Sequence, residues 1–355
     1  EKKEVCKMQR KKLAIIFLFF STEYQVSLQS AYSVFKNINV EKNEVIPIGI
    51  TRSGEWYHYT GSYDKISNET WFEDDQNLHT VVISQNRAAR GFLSIDGEKY
   101  TPLNVDLVFP VVHGKNGEDG TLQGLFELAG IPIVGCNMLS SALCMDKDRA
   151  HKLVSLTGIA VPKAVTFKKL ETETALSDIV ANLTYPLFVK PVRAGSSFGI
   201  TKVEKKQELK AAVNLAFNHD TQVIVEESID GFEVGCAVLG IDTLIVGKVD
   251  EIELSGGFFD FTEKYTLKSS TIYMPARIDA ACEKRIQETA MTIYKTLDCS
   301  GFARVDMFLK PSGEIVFNEV NTIPGFTSHS RYPNMMKGIG LSFSKMLDKL
   351  IGLYE

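Results

Sequence analysis

The sequence lacks patterns that would mark several specialised classes of protein. No basic block stands out among its 355 residues and the formal net charge is −5, so nucleic-acid binding has little support. Cys-x-x-Cys spacing and a paired cysteine framework are also absent. Reduced, mostly buried thiols of a cytoplasmic protein are therefore expected at the six cysteine positions: Cys6, Cys136, Cys144, Cys236, Cys282 and Cys299.

Long apolar runs are missing as well. The segment "RKKLAIIFLFF" resembles the basic and apolar regions of a signal peptide, but its apolar part covers only residues 13–20. That run is too short to span a bilayer, and no small-residue cleavage site follows it. A buried parallel strand is favoured instead, and no membrane partner is expected. Internal repeats and low-complexity segments are not found.

The composition, with 44% hydrophobic and 23% charged residues, is that of a globular protein of two or three domains. The first third alternates apolar strands (13–20, 45–50 and 105–112) with helical stretches (27–37 and 120–129). This α/β alternation predicts a parallel sheet. Residues 51–99 are polar and irregular, which suggests an insertion. The stretch "MDKDRAHKLVSLTGIAVP" predicts a helix that ends at Gly158.

One hairpin carries an unusual polar face. In "GFARVDMFLKPSGEIVFNEVNTIPG", residues 301–325, two β-rich runs flank a turn that we place at Ser312-Gly313. In that register Asp306 faces Glu319 and Arg304 faces Asn321. Because side chains alternate along a strand, the shared face also carries Phe308 and Phe317, while Asn318 is a polar exception on the opposite, apolar face.

This face has two interpretations. An exposed surface with cross-strand ion pairs is the ordinary one. Against it, like charges directly opposite each other destabilise a sheet unless something neutralises them. Two carboxylates and an amide oxygen are the hard ligands that Mg²⁺ prefers, so we favour a metal site formed by Asp306, Glu319 and Asn321.

Three further segments have polar groups after apolar strands. Lys190 precedes "RAGSSFG", whose backbone N–H groups can face a phosphate, although a flexible hairpin turn is an equal alternative. Glu226, Glu227 and Glu233 in "VIVEESIDGFEVG" suit adenosine binding or a solvated loop. His113 ends a buried strand, where ligands gather in open α/β sheets, although a lone histidine at such a position is more often structural than catalytic. "GGFFDFTEKYTLKSS" is typical of a mobile lid.

In this order the segments resemble the D-alanine–D-alanine ligases of the ATP-grasp superfamily. The resemblance covers nearly the whole chain and is carried by "STEYQVSLQSA", "HGKNGEDGTLQG", "SALCMDKDRAHK", "KPVRAGSSFGI", "EVGCAVLG", "FFDFTEKY", "GFARVDMF" and "FNEVNTIPGFTSHSRYP". It implies an α/β fold of the ATP-grasp type, with an N-terminal parallel α/β domain (1–135) and two α+β domains (136–229 and 230–355) that clamp ATP.

The resemblance also implies roles for individual residues. Metal ligands for two Mg²⁺ ions, with Mn²⁺ as an alternative, are Asp306, Glu319 and Asn321. ATP contacts are implied for Lys147, Lys190, Ser197, Glu226, Glu227, Glu233 and Lys264. The ammonium of the first D-alanine is received by Glu23, and the same pocket includes His113. A hydrogen-bonded trio closes the site through Glu23, Ser196 and Tyr265. Arg304 is implied to lie close to the reacting acyl phosphate and Gly325 to contact the intermediate through its backbone. Lys264 is implied beside Tyr265 on the lid.

The identity of the second substrate depends on a few positions. In detail the chain is similar to the vancomycin-resistance branch of the VanG type, which joins D-alanine to D-serine and so alters peptidoglycan precursors. The pair Lys264-Tyr265 argues against D-lactate. Arg331 stands where ligases that accept D-alanine usually have an apolar residue. The implied second-substrate positions are Asp250, Phe259, Ser330 and Arg331.

Three alternatives stay open at this point. They are a D-alanine–D-alanine ligase of ordinary cell-wall synthesis, another ATP-grasp carboxylate–amine ligase, and a catalytically silent nucleotide-binding protein. The last is motivated by Leu18, Phe19 and Phe20, which replace a Gly-Gly pair usual in the family. Family members are often dimeric, so a homodimer is one expected assembly.

Overall fold

In the part of the chain that the structure describes, the strands form three separate sheets. The computed structural model describes residues 10–17, 24–168, 174–195, 198–254, 270–327 and 329–354. Several predicted features lie outside these residues: the Leu18-Phe19-Phe20 stretch, Glu23, Ser196, Ser197 and the lid with Phe259, Lys264 and Tyr265.

The N-terminal sheet begins with the predicted parallel strands. The first strand pairs in parallel with its neighbours on both sides, because its apolar residues are buried on both faces. The connecting helices cover the sheet. The elements are β1 (Lys11–Phe17), α1 (Tyr24–Asn37), β2 (Asn43–Ile50), β7 (Leu107–Val111) and α3 (Thr121–Ala129).

The expectation that residues 51–99 form an irregular insertion is wrong. They extend the same sheet with antiparallel strands, in the order β6-β5-β4-β3-β2-β1-β7. Alternation is weak in this segment because β6 is exposed along nearly its whole length and β3 has only four residues. The elements are β3 (Trp56–Tyr59), α2 (Tyr63–Ser67), two 3₁₀ turns (Trp71–Glu73 and Asp75–Asn77), β4 (Leu78–Ile83), β5 (Gly91–Asp96) and β6 (Lys99–Asn104).

A second, four-stranded sheet is antiparallel and has its own apolar core. Its strand order is β10-β9-β11-β8. The elements are β8 (Ala164–Lys168), α6 (Thr174–Ile179), β9 (Leu187–Pro191), β10 (Thr201–Val203), α7 (Leu209–Ala216) and β11 (Gln222–Glu227).

The third sheet has the strand order β14-β13-β12-β15-β16. Its strands are β12 (Phe232–Gly240), β13 (Ile245–Leu254), β14 (Ser270–Tyr273), β15 (Gly301–Leu309) and β16 (Ile315–Asn321). The helices of this part and its flanks are α4 (Met138–Met145), α5 (Lys147–Ser155), α8 (Ala280–Thr296), α9 (Arg331–Gly338) and α10 (Phe343–Gly352). None of the described helices has the length and apolar character needed to cross a membrane.

The predicted 146–158 helix is interrupted at its start. Asp146 separates α4 from α5, and its side chain accepts a hydrogen bond from the backbone N–H of Arg149, as an N-cap does. The helix α5 ends at Ser155, and Gly158 follows with a φ of 85°. Free cysteines are present at five described positions, and all except Cys282 are buried, as the sequence predicted.

The predicted hairpin forms, and its register is right at the polar face. Arg304 pairs with Asn321 and Asp306 with Glu319. Near the turn the prediction is wrong by one residue, because Lys310 faces Glu314 across a three-residue loop. A bulge at Asn318 absorbs the difference, since Met307 pairs with Phe317. Phe317 consequently joins the core and not the polar face.

A substitution of Trp71 can test whether residues 51–99 are part of the hydrophobic core of the N-terminal sheet. Its ring is fully buried, and a Cβ on Gly49 would lie 2.4 Å from it. We expect Trp71→Ala to lower the free energy of unfolding by about 3–5 kcal/mol, because it empties a large buried volume. Urea denaturation measures this change.

The neighbouring Phe72 is a matched control. It is 37% exposed, so Phe72→Ala should cost roughly 1 kcal/mol or less. Equal losses for the two variants would contradict the assignment of this segment to the core.

Candidate active site

The charged side chains of the third sheet converge on one of its faces. Strands β12, β13, β15 and β16 each contribute, and helix α9 adds an arginine over the same face. Alternation along paired strands brings these side chains together, since neighbours across the ladder point to the same side. The residues are Glu233, Asp250, Arg304, Asp306, Glu319, Asn321 and Arg331.

Asp306 is at the centre of this face and is only 2% exposed. Arg304 donates from Nε to its Oδ1 at 2.8 Å and from Nη2 to its Oδ2 at 2.7 Å. Asn321 donates to Oδ2 at 2.8 Å. Burial alone would lower the pKa of Arg304, but attraction to Asp306 and Asp250 together with the hydrogen bonds to Asp306 outweighs it, and the pKa is raised. The Arg304 guanidinium therefore stays protonated.

Arg331 is the second buried cation of the face. Its Nε and Nη2 donate to the two carboxylate oxygens of Asp250 at 2.7 and 2.8 Å. Its Nη1 donates to Glu233 at 2.8 Å and lies 3.5 Å from Asp306. Asp250 is fully buried, and it also accepts the backbone N–H of Gly235 at 3.0 Å. Arg331 thus links three carboxylates from three strands.

A second charged cluster lies where β9 and β11 of the four-stranded sheet meet α5. Lys190 Nζ is 2.5 Å from Glu226, whose carboxylate is buried. Burial alone would raise the pKa of Glu226, but the combined effect of Lys190, which attracts it and donates a hydrogen bond, and of His151 and Lys147 outweighs burial, and the pKa is lowered. Lys147 Nζ donates to the carbonyl of Ala194 at 2.9 Å and lies 3.7 Å from Glu319. Lys147 therefore connects the glycine loop to the hairpin.

His151 is a member of this cluster that the sequence reasoning missed. Its Nε2 is 2.8 Å from the carbonyl oxygen of Asn318 and its Nδ1 is 3.8 Å from Glu226. Burial lowers the pKa of His151 below its ordinary value. The imidazole is therefore neutral near pH 7 and donates Nε2–H to the carbonyl. The available signal was its spacing of four from Lys147, which puts both on one helix face.

Two residues that were predicted to contact ligands, Glu227 and His113, form hydrogen bonds with backbone groups of the protein. The carboxylate of Glu227 accepts the backbone N–H of Thr184 at 2.8 Å, so it does not join the cluster around Glu226. His113 is buried with Nδ1 2.9 Å from the carbonyl of Ile323. It thus connects the end of β7 to the "NTIPG" turn.

The end of the "NTIPG" turn is tightly packed. Ser330 Oγ accepts the backbone N–H of Thr327 at 3.0 Å. A Cβ on Gly325 would lie 2.8 Å from that Oγ, so only glycine fits the close approach at this position. The turn therefore brings Gly325 and Ser330 together, directly before Arg331 at the start of α9.

Comparisons with known proteins agree with this arrangement. The family model described as "D-ala D-ala ligase N-terminus" matches residues 12–136, and that described as "D-ala D-ala ligase C-terminus" matches residues 153–352. The chain belongs to the D-alanine–D-alanine ligase family. Members of this family are ATP-dependent ligases of amino acids, and the expected α/β ATP-grasp fold is confirmed by its solved structures.

Individual relatives of this family cover nearly the whole chain. The crystal structure of VanG D-Ala:D-Ser ligase from Enterococcus faecalis is 77% identical, with a TM-score of 0.92 over 98% of this chain and 100% of that one. The vancomycin C-type resistance protein VanC1 of Enterococcus gallinarum is 44% identical over 97% of this chain and 98% of its own. A D-alanine–D-alanine ligase of Caldicellulosiruptor bescii is 42% identical over 98% and 95%.

His151 should make the stability of this ligase sensitive to acid. Because the pKa of His151 is lowered from 6.5, the unfolded chain binds more protons just below pH 6.5, and the free energy of unfolding falls there as the pH falls. We expect His151→Gln, which cannot titrate, to make that fall shallower. Urea denaturation between pH 5 and pH 7.5 measures the slope.

An exposed histidine, His329, gives the control. His329→Gln should leave the slope of the unmodified protein in place. An unchanged slope in His151→Gln would mean that His151 does not titrate as a buried neutral group.

Proposed function

We propose that this protein ligates D-alanine to D-serine with ATP, through a D-alanyl phosphate. The observation that carries the proposal is the buried Arg331–Asp250 pair, which adds a polar group beside the face proposed to bind metal and phosphate. The 77% identity to a solved D-Ala:D-Ser ligase supports it. The product would enter altered peptidoglycan precursors of the kind that confer vancomycin resistance.

The chemistry requires an activated carboxylate. A carboxylate oxygen of the first D-alanine attacks the γ-phosphorus of ATP, and ADP leaves. The amine of the second amino acid, after losing a proton, attacks the acyl carbon, and the C–O bond to phosphate breaks. The protein supplies mainly positioning and charge neutralisation. Arg304 is suited to stabilise the acyl phosphate, and Lys147 and Lys190 the ATP phosphates.

The donor set of the hairpin fits Mg²⁺. Asp306 and Glu319 offer carboxylate oxygens, and Asn321 offers an amide oxygen if its amide group turns, since its N–H now faces Asp306. Bound Mg²⁺ would neutralise the charge of the transferring phosphoryl group. We propose Mg²⁺ at these three residues, with Mn²⁺ as an alternative ion.

Nucleotide contacts follow the charged cluster of the four-stranded sheet. Glu226 is suited to the adenine amino group. Glu233 now pairs with Arg331 at 2.8 Å, so a ribose contact by Glu233 would compete with that pair. Glu227 would contribute through its backbone, because its carboxylate is bound to Thr184.

Selection of D-serine is assigned to Arg331 rather than to Asp250. Asp250 is fully buried and its oxygens are engaged, whereas the side chain of Arg331 is 9% exposed. A D-serine hydroxyl can accept from the guanidinium directly or through water. With D-alanine that hydrogen bond is lost, which costs about 1–3 kcal/mol, or about ten- to a hundredfold in kcat/KM.

Roles at positions outside the described residues stay part of the proposal. They are the first-substrate contact of Glu23, the closing trio with Ser196 and Tyr265, the ATP contacts of Ser197 and Lys264, and the pocket residue Phe259. His113 would shape the first-substrate pocket, and Ser330 with Gly325 would hold the second carboxylate and the intermediate. Homodimer formation is proposed on the family resemblance alone.

A D-alanine–D-alanine ligase is the second candidate, favoured by relatives such as that of Caldicellulosiruptor bescii. Phosphate release from ATP with D-alanine plus D-serine separates a ligase from a silent nucleotide-binding protein. Resolving the dipeptides formed from equal concentrations of D-alanine and D-serine separates the two ligases. A product that is mostly D-alanyl-D-alanine would overturn the D-serine assignment.

The metal-binding role of the hairpin is tested best at Glu319. Asp306→Asn would also deprive Arg304 of its partner, so its effect would be ambiguous. We expect Glu319→Gln to fold normally and to lose ligation by at least about a hundredfold, because it removes an anionic ligand at nearly constant volume. Phosphate release at several Mg²⁺ concentrations measures the loss.

Glu314, directly before β16, is the control. Its side chain is exposed at the turn and pairs with Lys310, so Glu314→Gln should keep normal turnover. Normal turnover of Glu319→Gln at ordinary Mg²⁺ would refute the metal assignment.

Arg331→Leu should narrow the preference for D-serine. The change removes the donor proposed for the hydroxyl and also leaves the buried Asp250 without its arginine, so the readout is the substrate ratio and not total activity. The kcat/KM for D-serine should fall about tenfold or more relative to that for D-alanine. Arg285→Leu, which alters an arginine that bonds the carbonyl of Gly313 at the remote turn, should keep the preference. An unaltered product ratio in Arg331→Leu would show that selection lies elsewhere.

A further inference from the structure

Gly235 lies in the middle of β12, directly under the guanidinium of Arg331. A Cβ on Gly235 would lie 2.3 Å from Arg331 Nη2, 2.7 Å from Asp250 Oδ1 and 2.9 Å from the terminal carbon of Met335. Non-bonded heavy atoms approach comfortably only to about 3.5 Å. The volume that a side chain would fill at position 235 is therefore taken up by the Arg331–Asp250 pair.

The requirement for glycine here concerns space and not backbone conformation. Gly235 is paired in register on both sides, with Asp250 on β13 and Asp306 on β15. It is not among the glycines with a positive φ. Glycine inside a strand costs stability and often marks a close approach by another group. The close approach at this position is made by an ion pair.

The guanidinium cannot move aside without losing its partners. Asp250 binds it at two atoms, and Glu233 binds it at 2.8 Å on the remaining edge. The residues that hold it belong to the same sheet as Gly235. Met335 can shift, because only the far end of a flexible side chain is involved. A methyl group at position 235 would therefore act on the Arg331–Asp250 pair, with Arg331 Nη2 as its closest atom.

We propose that Gly235 is a positioning residue for second-substrate selection: its missing side chain lets Arg331 lie flat on β12, within reach of the second amino acid. This inference deepens the proposed function and rests on it. The backbone N–H of Gly235, which donates to Asp250 at 3.0 Å, anchors the same pair from below. Gly235 therefore supports the Arg331–Asp250 pair in two ways: it leaves room for the guanidinium, and its backbone N–H binds Asp250.

The test is a double-mutant cycle in the full-length protein with Gly235→Ala and Arg331→Leu. In the otherwise unmodified enzyme, Gly235→Ala should raise KM for D-serine and lower the D-serine to D-alanine ratio of kcat/KM by about tenfold. In the Arg331→Leu background the same alanine should leave the ratio unchanged, because no guanidinium remains to be displaced. Initial rates of phosphate release and resolved dipeptides supply both readouts.

Thermal unfolding of the four proteins separates selection from folding. Gly235→Ala should lower Tm more when Arg331 is present than when it is absent, since Asp250 opposes the methyl group in both cases. Gly352→Ala, at a helical position where a Cβ would meet nothing within 4 Å, should not lower Tm and should leave the ratio unchanged. Gly235→Ala with the unmodified ratio, or with the same shift in both backgrounds, would overturn the inference.

Failure of the proposed function gives a different result. In that case the unmodified enzyme itself favours D-alanine or releases no phosphate. The claim that Gly235 affects substrate selection is then overturned. The Tm values of the four proteins still decide whether Gly235 makes room for Arg331. Measuring the unmodified enzyme first therefore keeps the two claims apart.

Discussion

The buried carboxylate of Asp306 sets the main constraint on this face of the protein. A carboxylate that is 2% exposed must be paired and hydrogen-bonded, because removing one partner of a buried pair strands a charge. Arg304 meets that need on one side and Arg331 approaches from the other. Burying two arginines then requires further carboxylates, which are supplied by Asp250 and Glu233.

The charge balance of this group suits a cation. Three carboxylates (Glu233, Asp250 and Asp306) face two guanidiniums (Arg304 and Arg331), so the formal charge is 2 − 3 = −1. At the open side Glu319 is 3.7 Å from Lys147. A site with a small excess of negative charge attracts Mg²⁺ without an uncompensated charge deep inside. The two paired arginines thus leave the hairpin face with the charge that the proposed metal and phosphate would need.

Sequence patterns predict the pairing at the polar face of the hairpin, but they do not predict which side chains from other strands surround that face. Alternation placed Asp306 opposite Glu319 correctly, but the turn was wrong by one residue and only the bulge at Asn318 restored the pairing. The antiparallel strands of residues 51–99 were missed because they are short with exposed faces. Arg331 could be identified as a candidate by resemblance, yet its partners on other strands depend on tertiary packing, which no local periodicity contains.

The bulge also explains why His151 is needed. A bulged residue is left out of the strand ladder, and a buried carbonyl without a donor is costly. His151 supplies its Nε2–H to the Asn318 carbonyl at 2.8 Å, and its other nitrogen faces Glu226. The carbonyl of the bulged Asn318, next to Glu319, therefore receives its hydrogen bond from a side chain of α5, the helix that also carries Lys147. His151 therefore lies between the hairpin and Glu226, and Lys147 on the same helix approaches Glu319 at 3.7 Å.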